Sequence, residues 1–136
     1  AIGTGIRKYF PASNRALQNR IAANGLVLSQ FWPDAPPTRY QFPMRNATMS
    51  GYGLATVVVE AGEHSGARVQ ARLAVEHGRP VILTDLVLNR TTWAKSLVGR
   101  PGVYVAEGRA DVMLYVRQLG EQNRNVDELL RQYVVI

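Results

Sequence analysis

Cysteine is absent from this chain, which excludes disulfides, cysteine nucleophiles and thiolate metal sites. Histidine is scarce: His64 and His77 lack the spacing of metal ligands, and they read as a solvated loop residue and a helix-end residue. Metal catalysis and a resident cofactor are therefore not expected. No apolar run approaches the roughly 18–20 residues of a membrane span, and no signal-peptide pattern occurs, so a soluble, cytoplasmic protein is expected. Repeats, low-complexity tracts and a second-domain boundary are missing too, and 136 residues suit one domain with a core of its own. Acidic residues are outnumbered, with 16 Lys+Arg against 10 Asp+Glu and a formal charge of +6, which favours a polyanionic partner.

What the chain does have is concentrated in residues 39–79. Leu54 to Val59 is a short apolar run rich in β-branched residues, the pattern of a strand covered on both faces in a parallel sheet. Ser65 is a plausible N-cap for a following helix with Val69, Leu73 and Ala74 on one face and Arg68, Arg72 and Glu76 on another. A strand feeding a helix N-terminus makes an anion site, because the first N–H groups of a helix lack internal partners and the helix dipole adds positive potential. Gly66 permits close approach. Residues 43–52 read as a loop and short helix at a sheet edge, where Arg45 and Asn46 can face the Ser65–Gly66 turn; phosphate is the natural guest.

Around this stretch, Ala1-Ile2 reads as the end of a strand entering the Gly3-Thr4-Gly5 turn, a weak phosphate-loop signal without a third glycine. Ser13 can cap a helix running to about Asn24 with Leu17 and Ile21 on one face, and Leu26 to Ser29 reads as a short strand. Phe31 and Trp32, in a proline-rich loop, are candidates for stacking on bases or for packing under the loop. Pro80 to Leu83 reads as a strand ending at Thr84-Asp85, Trp93 to Val98 as a short helix and Gly102 to Val105 as a strand. Ala110, Met113, Leu114 and Leu119 mark an amphipathic helix. Asn125 with Glu128 resembles a capping box opening a separate last helix, whose Val126, Leu129, Leu130 and Tyr133 form a core or subunit-contact face. Alternating strands and helices predict a three-layer, Rossmann-like α/β fold with a mostly parallel sheet. Ligands of such folds sit beyond the carboxyl ends of the strands, the edge expected for Gly3 to Gly5, Arg45-Asn46 and Ser65-Gly66.

The series Phe42-Pro43-Met44-Arg45-Asn46, Val59-Glu60-Ala61, Ser65-Gly66-Ala67, Ala71-Arg72 and Gly78-Arg79-Pro80-Val81 resembles, in order and spacing, that of the DNA-processing protein A (DprA/Smf) family, approximately FPxRNR, VVEA, SGSxxTA and GRxV. The family's GTG and YPxxN segments correspond to Gly3-Thr4-Gly5 and Phe10-Pro11-Ala12-Ser13-Asn14. The resemblance implies a Rossmann-like domain that binds single-stranded DNA and loads RecA in transformation and recombination, with phosphates at Gly3, Thr4, Gly5, Arg45, Asn46, Ser65, Gly66 and Ala67. It also implies that the family's preceding strand and helix, with a GSR-type motif, are missing. A partial domain would leave a strand edge uncovered, so a homodimer is expected through that edge, with the 126–133 helix face as the alternative contact. Ala12 and Gln30 replace the basic and acidic residues of many relatives, leaving Arg7, Lys8 and Arg15 as substitutes, and Thr84 to Lys95 departs from the family's Pro-Gly-Ser turn.

Two other readings share the fold. The lonely-guy phosphoribohydrolases place a PGGxGTxxE motif at the same strand-to-helix turn, but aligning Gly66-Ala67 with its Gly-Thr puts Gln70 at the glutamate position, where an amide cannot act as a base. A degenerate nucleotide-sensing domain is the third.

Overall fold

The computed structural model describes residues 1–133, which fall into two compact units, Ala1–Met49 and the residues from Ser50 onward. The first contains a 3-10 turn at Ala12–Asn14, helix α1 (Arg15–Asn24) and helix α2 (Gln41–Tyr52), whose last residues belong to the second unit. The second carries β1 (Thr56–Val58), α3 (Gly66–Glu76), β2 (Val81–Thr84), α4 (Asp85–Arg90), α5 (Thr92–Lys95), β3 (Val103–Ala106) and α6 (Arg109–Tyr133).

In the second unit the strands form a parallel sheet in the order β1-β2-β3, with Val57 opposite Ile82 and Ile82 opposite Tyr104. Because side chains alternate along a strand, β2 serves both faces. Val81 and Leu83 join Val58, Ala71, Ala74, Val87, Trp93 and Leu97 in one core, under α3, α4 and α5. Ile82 joins Ala106 and Leu119 in the other, with Tyr104, Val112 and Tyr115 packed on it under α6. All four β2 residues are buried, which is why it reads as an unbroken apolar run rather than an alternating one. The unit is thus the expected three-layer, Rossmann-like α/β arrangement.

The helix after β1 starts and stops where its residues dictate. Ser65 is the N-cap of α3, its hydroxyl accepting from the Ala67 amide at 3.2 Å. The end is a Schellman motif: Gly78 takes φ +65°, its N–H donates to Val75 O at 3.0 Å, and the Arg79 N–H donates to Ala74 O at 2.8 Å. His77 is the C-cap, with Nδ1 2.8 Å from Ser50 Oγ, while His64 is exposed in the loop before α3.

Several local expectations need correction. Residues 26–29 form no strand; one backbone hydrogen bond, Ile2 N–H to Leu28 O at 2.8 Å, ties them to the start of the chain. Ser13 lies in the 3-10 turn, and Asn14 is the residue before α1, without a side-chain cap. The short helix expected at Trp93 to Val98 is α5, Thr92–Lys95, and α4 precedes it, with Thr91 Oγ1 donating to Val87 O at 2.8 Å at its end. Asn125 opens no new helix, because α6 runs unbroken for 25 residues from Arg109 to Tyr133. Gly120, Asn123, Val126 and Asp127 around Asn125 are weak helix formers, but no proline lies between Leu119 and Val126 to force the chain out of helical geometry, and Asn123 Nδ2 donates to Asp127 Oδ2 at 3.1 Å one turn on.

Candidate nucleic-acid interface

The strand-to-helix turn of the second unit is built from contacts that hold its backbone still. Between β1 and α3 the chain runs through Val59 to Ser65, and four of those residues are bonded to the β2–α5 segment. Thr84 Oγ1 donates to Val59 O at 2.6 Å, and Trp93 Nε1 donates to Gly62 O at 3.2 Å. The Glu63 carboxylate accepts from Thr92 N at 2.8 Å and from Thr92 Oγ1 at 2.5 Å, and Glu60 pairs with Arg90. The two Thr92 hydrogen bonds, the side-chain one first, hold the Glu63 carboxyl below its ordinary pKa. Trp93 is 6 % exposed and packs in the core, so its ring fixes Gly62 from beneath.

This loop delivers Ser65, Gly66 and Ala67 as the first turn of α3. Ser65 is half-buried and Gly66 exposed, with nothing beyond its chain neighbours and its own helix backbone within 4 Å of where a side chain at Gly66 would project. The Ala67 amide is taken by Ser65 Oγ and the Arg68 amide by Ser65 O, whereas an N1 amide such as that of Gly66 has no intrahelical acceptor. The turn therefore offers a donor, a hydroxyl and the positive end of a helix dipole with open space above them.

The remaining candidates lie in the first unit. Gly3 and Gly5 are packing glycines here. A Cβ at Gly3 would stand 2.8 Å from the Phe42 ring, and one at Gly5 would stand 2.2 Å from Trp32 O and 2.3 Å from Pro33 O. Thr4, 2 % exposed, donates to Lys8 O at 3.3 Å, and its carbonyl accepts from Ser29 Oγ at 2.6 Å. Arg45 and Asn46 are half-buried on α2. Arg45 donates from one terminal nitrogen to Ala1 O at 3.1 Å, while its Nε is buried without a hydrogen-bond partner. The GTG and FPMRN segments thus meet within one unit, through Phe42 on Gly3 and Arg45 on Ala1. Of the substitute basic residues, Arg7 pairs with Asp34 at 3.0 Å and Arg15 lies over the Tyr9 ring at 5.2 Å.

Gly5 also braces the aromatic loop. Its N–H donates to Ala35 O at 3.0 Å, and the Arg7 N–H donates to Pro33 O at 3.0 Å. On that loop Trp32 is 87 % exposed and Phe31 half-buried, and both line a cavity of about 490 Å³ together with Gln30 and Gln41.

Sequence reasoning missed Glu63, Thr84, Arg90, Thr92 and Trp93 as supports of the turn. The departure of Thr84 to Lys95 from the family pattern was visible, but not its partners.

A parallel three-stranded sheet with helices on both faces and a braced, capped strand-to-helix turn defines a Rossmann-like α/β domain. The chain belongs to the DNA recombination-mediator protein A family, whose model matches residues 1–118. It is 38 % identical over 80 residues to DNA processing protein DprA of Streptococcus pneumoniae, covering 59 % of this chain and 28 % of that protein. To protein Smf of Escherichia coli it is 38 % identical over 81 residues, covering 59 % of this chain and 22 % of the relative, so it spans only about a quarter of these proteins. The crystal structure of the S. pneumoniae protein matches with a TM-score of 0.65 and 30 % identity over 83 % of this chain and 40 % of that one. The structure of DNA processing protein A from Helicobacter pylori, described for its single-stranded DNA binding mode, matches with a TM-score of 0.67 at 22 % identity over 85 % of this chain and 54 % of that one, a likeness of fold. No helix among the described residues is long and apolar enough to cross a membrane.

Proposed function

We propose that this chain binds single-stranded DNA through its backbone phosphates, as a non-enzymatic module of cytoplasmic DNA processing. The observation that carries the reading is the braced first turn of α3, where the Gly66 amide and the Ser65 hydroxyl face open space while Ala67 N–H holds that hydroxyl in place. A phosphate accepts from such donors without any rearrangement of the loop, and rigid donors cost less to order on binding. Arg45 and Asn46 are further phosphate contacts in this reading, and Gly3, Thr4 and Gly5 contribute through the backbone they set. The exposed Trp32, with Phe31 beside it, supplies a stacking surface for bases, worth about 1–3 kcal/mol per base. The family's name and the DNA-binding description of the H. pylori protein support the same class of ligand.

By the same reading the protein serves RecA loading in recombination and natural transformation, and acts as a homodimer. The α6 face of Val126, Leu129 and Leu130, each more than half exposed, is the proposed contact; Tyr133 of that face lies outside the described side chains. A hydrolase reading has no support at Gln70, a half-buried amide whose Nε2 is 3.5 Å from Thr56 Oγ1 and whose Oε1 is buried without a partner.

The test is titration of the chain with fluorescent oligo-dT, duplex DNA and mononucleotides across a salt series. Tight, sequence-tolerant oligo-dT binding with a log–log salt slope of about −0.7 per phosphate contact supports the reading. A flat salt response, or preference for duplex, overturns it.

A further inference from the structure

The second unit holds another cationic site. A cleft of about 580 Å³ lies between α3 and the segment from Thr92 to Arg100, and Trp93 and Leu97, both buried, contribute its apolar lining. Five charged side chains reach it, and they are not equivalent. Arg72 pairs with Glu76 at 2.8 Å, and the Glu63 carboxylate is taken by the two donors of Thr92. Arg68 and Arg100 have no hydrogen bond or ion pair from their guanidinium groups among the described residues, and both are exposed. Their backbones are nonetheless fixed. The Arg68 N–H donates to Ser65 O at 3.1 Å in the first turn of α3, and Arg100 sits in a turn after Gly99 at φ +85°, with its N–H on Leu97 O and its carbonyl receiving Val103 N–H, both at 3.1 Å.

We propose that this cleft binds a phosphate monoester, with Arg68 and Arg100 as its ligands and the Trp93–Leu97 wall against the attached sugar or base. Arg68 feels the Glu63 carboxylate but makes no ion pair with it, and Arg100 has no partner among the described residues, so three guanidiniums against two carboxylates leave the cleft net positive and suited to an anion with several acceptor oxygens. A monoester carries about −1.5 to −2 charge at neutral pH with three acceptor oxygens, whereas an internal phosphodiester carries a single charge. The planar guanidinium fork matches phosphate oxygens in pairs, which a lysine cluster would not. The volume is that of a small-molecule site, within the range of about 300–1,000 Å³. Glu63 and Glu76, committed to their own partners, disfavour a long run of phosphates through the cleft and so favour a terminal group. Two sources present this chemistry: a free mononucleotide, or the phosphorylated 5′ end of a DNA strand. The second source rests on the single-strand reading above; the first does not.

The experiment compares wild type, Arg68→Ala/Arg100→Ala, Arg68→Lys/Arg100→Lys and Ser65→Asp by titration with dTMP, thymidine, and oligo-dT carrying a 5′ phosphate or a 5′ hydroxyl. Urea unfolding of each variant checks the fold. The expected result is dTMP binding without thymidine binding, weakened at least tenfold in the double alanine variant and only partly restored by lysine, with 5′-hydroxyl oligo-dT changed less than twofold. If the strand end is the source, the 5′ phosphate tightens oligo-dT at least fivefold and the double alanine variant abolishes that gain. If the free nucleotide is the source, the two oligonucleotides bind alike while dTMP keeps its dependence on Arg68 and Arg100. Failure of oligo-dT to bind at all, with dTMP binding intact, overturns the DNA reading and leaves the cleft. Equal dTMP affinity in wild type and the double alanine variant, or no dTMP and no 5′-phosphate effect in wild type, overturns the proposal, as does tighter binding of an acidic peptide than of dTMP.

Discussion

Replacing Ser65 by Asp separates the N-cap role of the α3 turn from the phosphate contact proposed for it. As an N-cap, Asp is as good as Ser, and its charge at the helix N-terminus adds about 0.3–1 kcal/mol, so the folded state should be unchanged or slightly more stable. As an anion site the turn is spoiled. The carboxylate would sit where Ser65 Oγ now accepts from the Ala67 amide at 3.2 Å, directly beneath the space a phosphate would enter. Two like charges about 4 Å apart at the effective dielectric of a protein surface repel by roughly 4 kcal/mol, and salt screening lowers this. Even half of that value exceeds a factor of ten in affinity, and the loss of the hydroxyl's own charge-assisted bond adds about 1.5–3 kcal/mol. Fluorescence anisotropy with oligo-dT should therefore show at least a 100-fold weaker Kd, and a salt slope shallower by about 0.7. Urea midpoints for the same preparation should equal or exceed wild type. Ser65→Ala should show the reverse balance, losing about 1 kcal/mol of stability with a smaller loss of affinity. An oligo-dT affinity for Ser65→Asp within threefold of wild type would refute the assignment of this turn to phosphate.

Other positions give independent checks. Gly5→Ala should cost about 3 kcal/mol or more in a urea titration, because the new Cβ meets backbone at 2.2–2.5 Å that cannot rotate away; a cost below about 0.5 kcal/mol would mean the loop is free to shift. Arg45→Ala should weaken oligo-dT binding about 10- to 100-fold, from a charge-assisted bond of about 1.5–3 kcal/mol, while Arg124→Ala and Arg131→Ala on exposed parts of α6 change it less than twofold; equal losses at all three would indicate a diffuse basic surface. Glu63 has a folded-state pKa below its ordinary 4.5, so the unfolded chain binds the proton first, and the stability from this group is present above 4.5 and lost as pH falls through the lower folded value. Urea midpoints measured from about pH 6 to about pH 3 should fall less steeply in Glu63→Gln than in wild type, and identical slopes would show that the Thr92 contacts do not discriminate the ionised form.

The parts of the fold that were legible are those fixed by neighbours in sequence. The apolar β1 and β2 segments, the Ser65 cap and the glycine-terminated end of α3 are each set by residues within one or two turns. The motif order could be read for the same reason. The supports of the β1–α3 turn could not, because they are long-range: Thr84 meets Val59 across 25 positions, Thr92 meets Glu63 across 29, Arg90 meets Glu60 across 30 and Trp93 meets Gly62 across 31. Only the pairing of β1 with β2, which brings Val58 opposite Leu83, aligns those segments. Asn125 failed for a different reason. An Asn–Glu pair three apart fits both an N-cap and the exposed surface of a longer helix, and local sequence carries no term that separates them.

The GTG segment shows why motif residues and ligand contacts must be argued apart. Gly3 and Gly5 are required where they stand by Phe42 and by the carbonyls of Trp32 and Pro33, and the Thr4 hydroxyl already donates to Lys8 O. Each of these requirements would hold with no ligand bound. Yet Gly5 also fixes the loop that carries Trp32, whose ring is almost fully exposed and has no packing role to account for it. In the proposed reading, a substitution at Gly5 would weaken base stacking by displacing the loop, without requiring a contact between Gly5 and DNA. Loss of binding at Gly5 accompanied by loss of stability points to the loop; loss of binding at Trp32 with stability intact points to the base contact itself. Trp32→Ala, which removes an exposed ring, is thus the cleaner probe of this unit, and Gly5→Ala tests the scaffold that aims it.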